Sequence, residues 1–83
     1  MKILYFAWLR ERLNRGEEEV FPPPSVQTVS GLMDWLAARD PAAETAFANR
    51  SVIRIAVDAK LASQETVIGP SNTVAFFPPM TGG

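Results

Sequence analysis

From Lys2 to Leu9 the chain is almost unbrokenly apolar, and alternation divides it into Ile3, Tyr5 and Ala7 on one face and Leu4, Phe6 and Trp8 on the other. This predicts a strand that is apolar on both sides. Such a strand is covered on both faces, or one face waits for a partner. Arg10–Gly16 predicts a short helical turn stopped by Asn14 and Gly16. Glu18–Phe21 predicts a second strand, ended by Pro22, Pro23 and Pro24, which have no N–H to give a ladder.

The apolar period then lengthens. Val29, Leu32, Met33 and Leu36 recur at helical spacing after Thr28, a good N-cap, and Arg39 suits the negative end of that helix. Asp40 followed by Pro41 predicts a fresh N-cap and a second short helix through about residue 48. Trp35 and Phe47 read as packing residues. Val52–Asp58 predicts a third strand, Asp58-Ala59-Lys60 a turn, and Leu61 a short return. After a loop containing Gly69 and Pro70, Thr73–Phe77 predicts the last strand, with Val74 and Phe76 on one face and Ala75 and Phe77 on the other. The order predicts an α+β domain over residues 1–77, a mixed sheet over one main helix with a right-handed crossover, followed by a tail over residues 78–83.

Composition narrows the chemistry. At 83 residues there is one domain with a modest core, and 47% apolar against 20% charged residues is globular usage. A net charge of −1 gives no basic footprint for nucleic acid, and the run Glu17-Glu18-Glu19 reads as a solvated flank of a turn. Cys and His are both absent. That removes thiol and Ser-His nucleophiles, disulfides, and imidazole or thiolate metal ligands. The opening apolar run is too short to span a bilayer and has no small-residue cleavage site, so a cytoplasmic protein is expected.

What is left to react is the C-terminal carboxylate. The tail follows a strand directly, so its root is fixed by the sheet. Pro78 and Pro79 favour an extended path away from the body. Gly82 and Gly83 have no Cβ and can thread a channel that side chains would block. Six residues reach roughly 20 Å, enough for a buried site in another protein. A carboxylate is a poor electrophile until it is adenylated, after which an amine, thiol or sulfur donor can attack it. The competing reading is an interaction domain whose Gly-Gly end is incidental.

Val74–Gly83, VAFFPPMTGG, resembles the end of the small subunit of molybdopterin synthase, the MoaD family. Tyr5–Glu11, the Thr28-capped helix and the segment IAVD at Ile55–Asp58 resemble the same family. The resemblance implies a β-grasp fold, like ubiquitin. It implies that Gly83 is adenylated by a ubiquitin-activating-type enzyme using ATP and converted to a thiocarboxylate. The sulfur itself would come from a donor such as a cysteine desulfurase or rhodanese. The tail, Pro78, Pro79, Met80, Thr81 and Gly82, would enter the large subunit of a heterotetramer, where sulfur passes to a cyclic pyranopterin monophosphate to build the molybdopterin dithiolene. No cofactor would be bound by this chain, no side chain of it would be catalytic, and no metal, nucleic acid or membrane partner is implied. Phe6, Arg10, Leu61 and Phe77 match the family's subunit interface, with ordinary core packing the other reading for Phe77 and Leu61, and a plain surface charge for Arg10. Family members often carry an acidic pair in place of Asn72-Thr73 and an Asn in place of Asp58. Sulfur carriers for thiamine or tRNA thiolation, and ubiquitin-like protein modifiers, are the nearest alternatives.

Overall fold

A computed structural model of the chain describes residues 1–79. Its elements are β1 (Lys2–Tyr5), α1 (Trp8–Leu13), β2 (Glu17–Glu19), α2 (Val29–Arg39), α3 (Pro41–Ala46), a single 3₁₀ turn at Arg50–Val52, β3 (Arg54–Val57), β4 (Lys60–Ala62) and β5 (Thr73–Phe77). The strands form one sheet in the order β2-β1-β5-β3-β4. β1 and β5 are parallel, and every other pairing is antiparallel.

Alternation along the strands sorts the sheet into two faces. Ile3, Tyr5, Ile55, Val74 and Phe76 point inward and are buried. The α2 stripe of Val29, Leu32, Met33 and Leu36 joins them in one core, as the sequence spacing predicts. The predicted N-caps hold. Thr28 Oγ1 accepts from Gly31 N at 3.1 Å, and Asp40 Oδ1 accepts from Ala42 N at 2.9 Å with Pro41 in the first turn of α3. The outer face keeps Leu4, Ala56, Ala75 and Phe77 only half-buried. Of the two readings of the first strand, the structure shows the one with an open face.

Three expectations need correction. The first strand ends at Tyr5 rather than Leu9, because Ala7 adopts φ 54, ψ −131 and turns the chain into α1. Leu9 and Leu13, four residues apart, are the buried stripe of that helix, and Asn14 in the left-handed region stops it. The third strand begins at Arg54, after the 3₁₀ turn, rather than at Val52. Finally, the second strand is Glu17–Glu19 rather than Glu18–Phe21: as edge strand β2 it leaves Glu17 and Glu19 solvated and carries only Glu18 to the inner face.

β3 and β4 are joined by a two-residue turn in which Asp58 (φ 49) and Ala59 (φ 69) are both left-handed. That backbone matches the right-handed twist of a hairpin, and Asn-Gly is the pair that suits it best.

Candidate functional site: the root of the tail

β5 is the central strand, and Val74 and Phe76 anchor it in the core. One residue on, Phe77 faces outward at the point where Pro78 and Pro79 begin the tail. Directly across the ladder from Phe77 is Arg54. Leu61 on β4 pairs with Ala56 and projects from the same outer face, 81% exposed. Leu61, Phe77 and Pro79 line a cleft of about 630 Å³ together with Ile53, Arg50 and Arg54. Pro78 and Pro79 are half-buried, so the first step of the tail lies against the domain.

The Phe6 N–H donates to Phe76 O at 3.1 Å, extending the β1–β5 ladder by one residue. Its alternation from Leu4 sets its ring on the outer face, 47% exposed. Arg10 is placed differently. It sits on α1, its guanidinium against Gly16, where an added Cβ would lie 2.7 Å from Arg10 Nη1, and it lines a separate shallow depression with Ala7 and Asn14. Thus Leu61 and Phe77 share a cleft, Phe6 shares their face, and Arg10 flanks another hollow. Met80, Thr81, Gly82 and Gly83 lie outside the described residues.

Beneath this face a polar brace ties the sheet to the helices, and it was not legible in the charge run. Tyr5 Oη donates to Glu18 Oε2 at 2.6 Å, and Glu18 also accepts from Arg15 Nε at 3.0 Å and Arg39 Nη2 at 2.6 Å. Arg15 bridges onward to Asp40, the N-cap of α3. Burial alone would raise the Glu18 carboxyl, but hydrogen bonds from Tyr5, Arg39 and Arg15 outweigh it and hold it below the usual carboxylate range. The hydrogen bond from Arg15, aided by the Ala42 N–H, lowers Asp40. Burial first, then the bond to Glu18, pushes the Tyr5 phenol far above its ordinary value. The recoverable signal was positional: Glu18 is the one member of the triplet that alternation turns inward, three residues after Arg15.

One parallel pairing between the first and last strands, antiparallel neighbours on either side, and a helix stripe packed in the core define a β-grasp, ubiquitin-like domain. The chain belongs to the ThiS family, whose model matches residues 3–83, a family of ubiquitin-like sulfur carriers. The fold is similar to that of SAMP1 from Haloferax volcanii, with a TM-score of 0.77 and 23% identity over 100% of this chain and 98% of that one. A putative molybdopterin converting factor, subunit 1, from Pyrococcus furiosus has a TM-score of 0.76 and 24% identity, covering 95% of each chain. The small archaeal modifier protein 1 from Methanosarcina acetivorans has a TM-score of 0.74 and 21% identity over 99% and 94%. At these identities the likeness establishes the fold. Family and fold together give this chain the ubiquitin-like sulfur-carrier fold of the ThiS family. No helix among the described residues is long and apolar enough to cross a membrane.

Proposed function

We propose that this chain is the sulfur-carrying small subunit of a molybdopterin synthase, with Gly83 as the group that carries the sulfur. The Gly83 carboxylate attacks the α-phosphorus of ATP on an adenylating enzyme, pyrophosphate leaves, and an acyl-adenylate forms. The terminal sulfur of a donor persulfide attacks the acyl carbon and AMP leaves. A second thiol on the donor or the adenylating enzyme then cleaves the resulting acyl disulfide, closing a disulfide there and releasing the thiocarboxylate. In the large subunit the thiocarboxylate sulfur attacks a side-chain carbon of the cyclic pyranopterin monophosphate and displaces its oxygen substituent, the ring phosphate ester at one carbon and a hydroxyl lost as water at the other. Water then cleaves the acyl–sulfur bond and regenerates the carboxylate. Catalytic side chains belong to the partner, while Pro78–Gly83 supplies reach and Phe6, Leu61 and Phe77 supply docking.

The observation that carries this reading is the open apolar face of Phe6, Leu61 and Phe77 at the root of the tail. Aromatic side chains left on a surface beside an anchored strand are typical docking anchors. The motif VAFFPPMTGG and the Pyrococcus relative's description favour the molybdopterin branch. The archaeal modifier relatives favour a second reading, in which activated Gly83 is joined to a lysine of a target protein.

The test is accurate-mass analysis of the intact chain and its C-terminal fragment after incubation with ATP, a persulfide source and the adenylating enzyme encoded in the same genome. Oxidation of Met1, Met33 or Met80 nearly matches one oxygen-to-sulfur exchange in mass, so fragmentation must locate the change. Sulfur at Gly83, abolished by one residue added after it, supports the carrier. Isopeptide-linked conjugates without thiocarboxylate support the modifier. A plain carboxylate, with an enzyme proven active on another carrier, overturns both.

A further inference from the structure

The charge on the outer face is uneven. Away from the tail it is balanced: Lys2 Nζ lies 3.3 Å from Glu17 Oε2 and pairs in register with Glu19. At the tail root it is not. None of the described residues lining the cleft beside Pro79 is acidic, although the whole chain carries a net charge of −1. Of the two arginines there, Arg50 is already engaged by Asp34 and by Ser30. Arg54 is exposed, opposite Phe77, and makes no ion pair with any described residue. Arg54 therefore lines the cleft with no described counter-ion, Phe77 across the ladder on one side and Leu61, opposite Ala56 two residues along, on the other strand.

We infer that this cleft receives an acidic side chain of the adenylating partner, with Arg54 as its counter-charge and Leu61 and Phe77 enclosing the contact. The inference rests on the carrier reading above and adds to it the chemistry of the partner's surface. A guanidinium offers a planar fork that matches a carboxylate in two-point geometry. Exclusion of water by the flanking apolar groups strengthens such a pair relative to one at an open surface. With Arg50 engaged by Asp34, Arg54 is the one unpaired cation among the described residues lining the cleft, and it suits one carboxylate better than the multiple charges of a nucleotide phosphate. Set beside the point where the tail leaves the sheet, the pair would also orient the tail toward the partner's nucleotide site.

The test is pyrophosphate exchange by the adenylating enzyme encoded in the same genome, with the full chain varied as substrate at fixed ATP. Arg54→Glu is expected to raise the KM for the chain by about tenfold or more with kcat within about twofold. Arg54→Gln should have a smaller effect. Rising salt should weaken the wild type and leave Arg54→Gln nearly flat, because only the wild type has the pair to screen. Arg12→Glu, on α1 over the Trp8 ring and away from the cleft, should behave as wild type. Melting curves of each variant check that the fold is intact. Two results would overturn the inference: a wild-type KM for Arg54→Glu when Phe77→Asp is impaired, or a change confined to the KM for ATP. If Phe77→Asp and a residue added after Gly83 are both adenylated normally, the failure lies with the carrier reading itself.

Discussion

Asn72 Nδ2 donates to Asp58 Oδ2 at 2.6 Å, joining the loop before β5 to the turn between β3 and β4. Asp58 Oδ1 accepts from Thr73 N at 2.9 Å, and Asn72 Oδ1 accepts from Gly69 N at 2.7 Å. Asp58 and Asn72, two of the three positions at which this chain departs from the MoaD pattern it resembles, are therefore hydrogen-bond partners. Asn72→Asp alone would set two carboxylates face to face and should cost about 1–2 kcal/mol. Adding Asp58→Asn re-creates every bond with the roles exchanged and should restore stability to within about 0.5 kcal/mol. Urea unfolding of the two single variants and the double variant measures the coupling. Simple additivity would refute it.

Ala7 and Ala59 hold backbone conformations that glycine adopts without a Cβ penalty. Ala7→Gly and Ala59→Gly should each stabilise the domain by about 0.5–1 kcal/mol, strain relief outweighing the added freedom of the unfolded chain. The two sites share no hydrogen bond, so the gains should add in a denaturant midpoint. A destabilised Ala7→Gly would mean that the Phe6–Trp8 turn is held by contacts strong enough to make the strain immaterial.

Phe76 and Phe77 are neighbours with opposite duties. Phe76 is fully buried, its ring stacked 6.1 Å from Tyr5 and tilted 5.1 Å from Phe47. Phe76→Ala should cost about 3–5 kcal/mol, most of the stability of a domain this small, and the milder Phe76→Leu should keep it measurable. Phe77→Ala should cost under about 1 kcal/mol and instead impair adenylation. Leu61→Asp, at a position already exposed to water, should follow Phe77 in both respects. Equal losses of stability at Phe76 and Phe77 would contradict the two-faced sheet.

The brace around Glu18 predicts a pH dependence of definite sign. Glu18 and Asp40 are both lowered in the folded chain, so their contribution is complete above the ordinary carboxylate range, about pH 4, and is lost as pH falls through the folded values. Glu18→Gln should lower stability at neutral pH by about 1–2 kcal/mol and flatten the loss on acidification. Tyr5 is the chain's only tyrosine, so its phenolate absorbance reports one site, and it should stay silent until the protein unfolds in alkali. Phenolate appearing in the folded protein near the ordinary tyrosine range would show that the Tyr5–Glu18 bond is not held in solution.

Much of this was readable from the chain because local signals and global packing agreed. The α2 stripe, the Thr28 and Asp40 caps and the alternation of β5 each need only neighbouring residues, and each was found where expected. The end of β1 was not legible. Alternation through Phe6, Ala7 and Trp8 fits a strand as well as it fits a strand followed by a helix. What decides between them is an Ala with positive φ, a conformation that its residue type does not announce. Nor could Glu18 be told from Glu17 and Glu19 before β2 was placed against Ile3, since only the register turns one of the three inward. Among the expected docking residues, Leu61 and Phe77 meet because β3 brings their strands together. Arg10 lies apart because it belongs to the helix that the strand reading had shortened.

The parallel pairing of β1 with β5 also sets how the domain bears load. Opposed pulls on the first and last described strands act along the ladder rather than across it, so the bonds linking Lys2–Tyr5 to Thr73–Phe76 must yield together instead of opening one at a time from an end. A pull applied where Phe77 hands over to Pro78 is therefore met by a seam that must shear as a unit, so force on the end of β5 can be borne without peeling the sheet open.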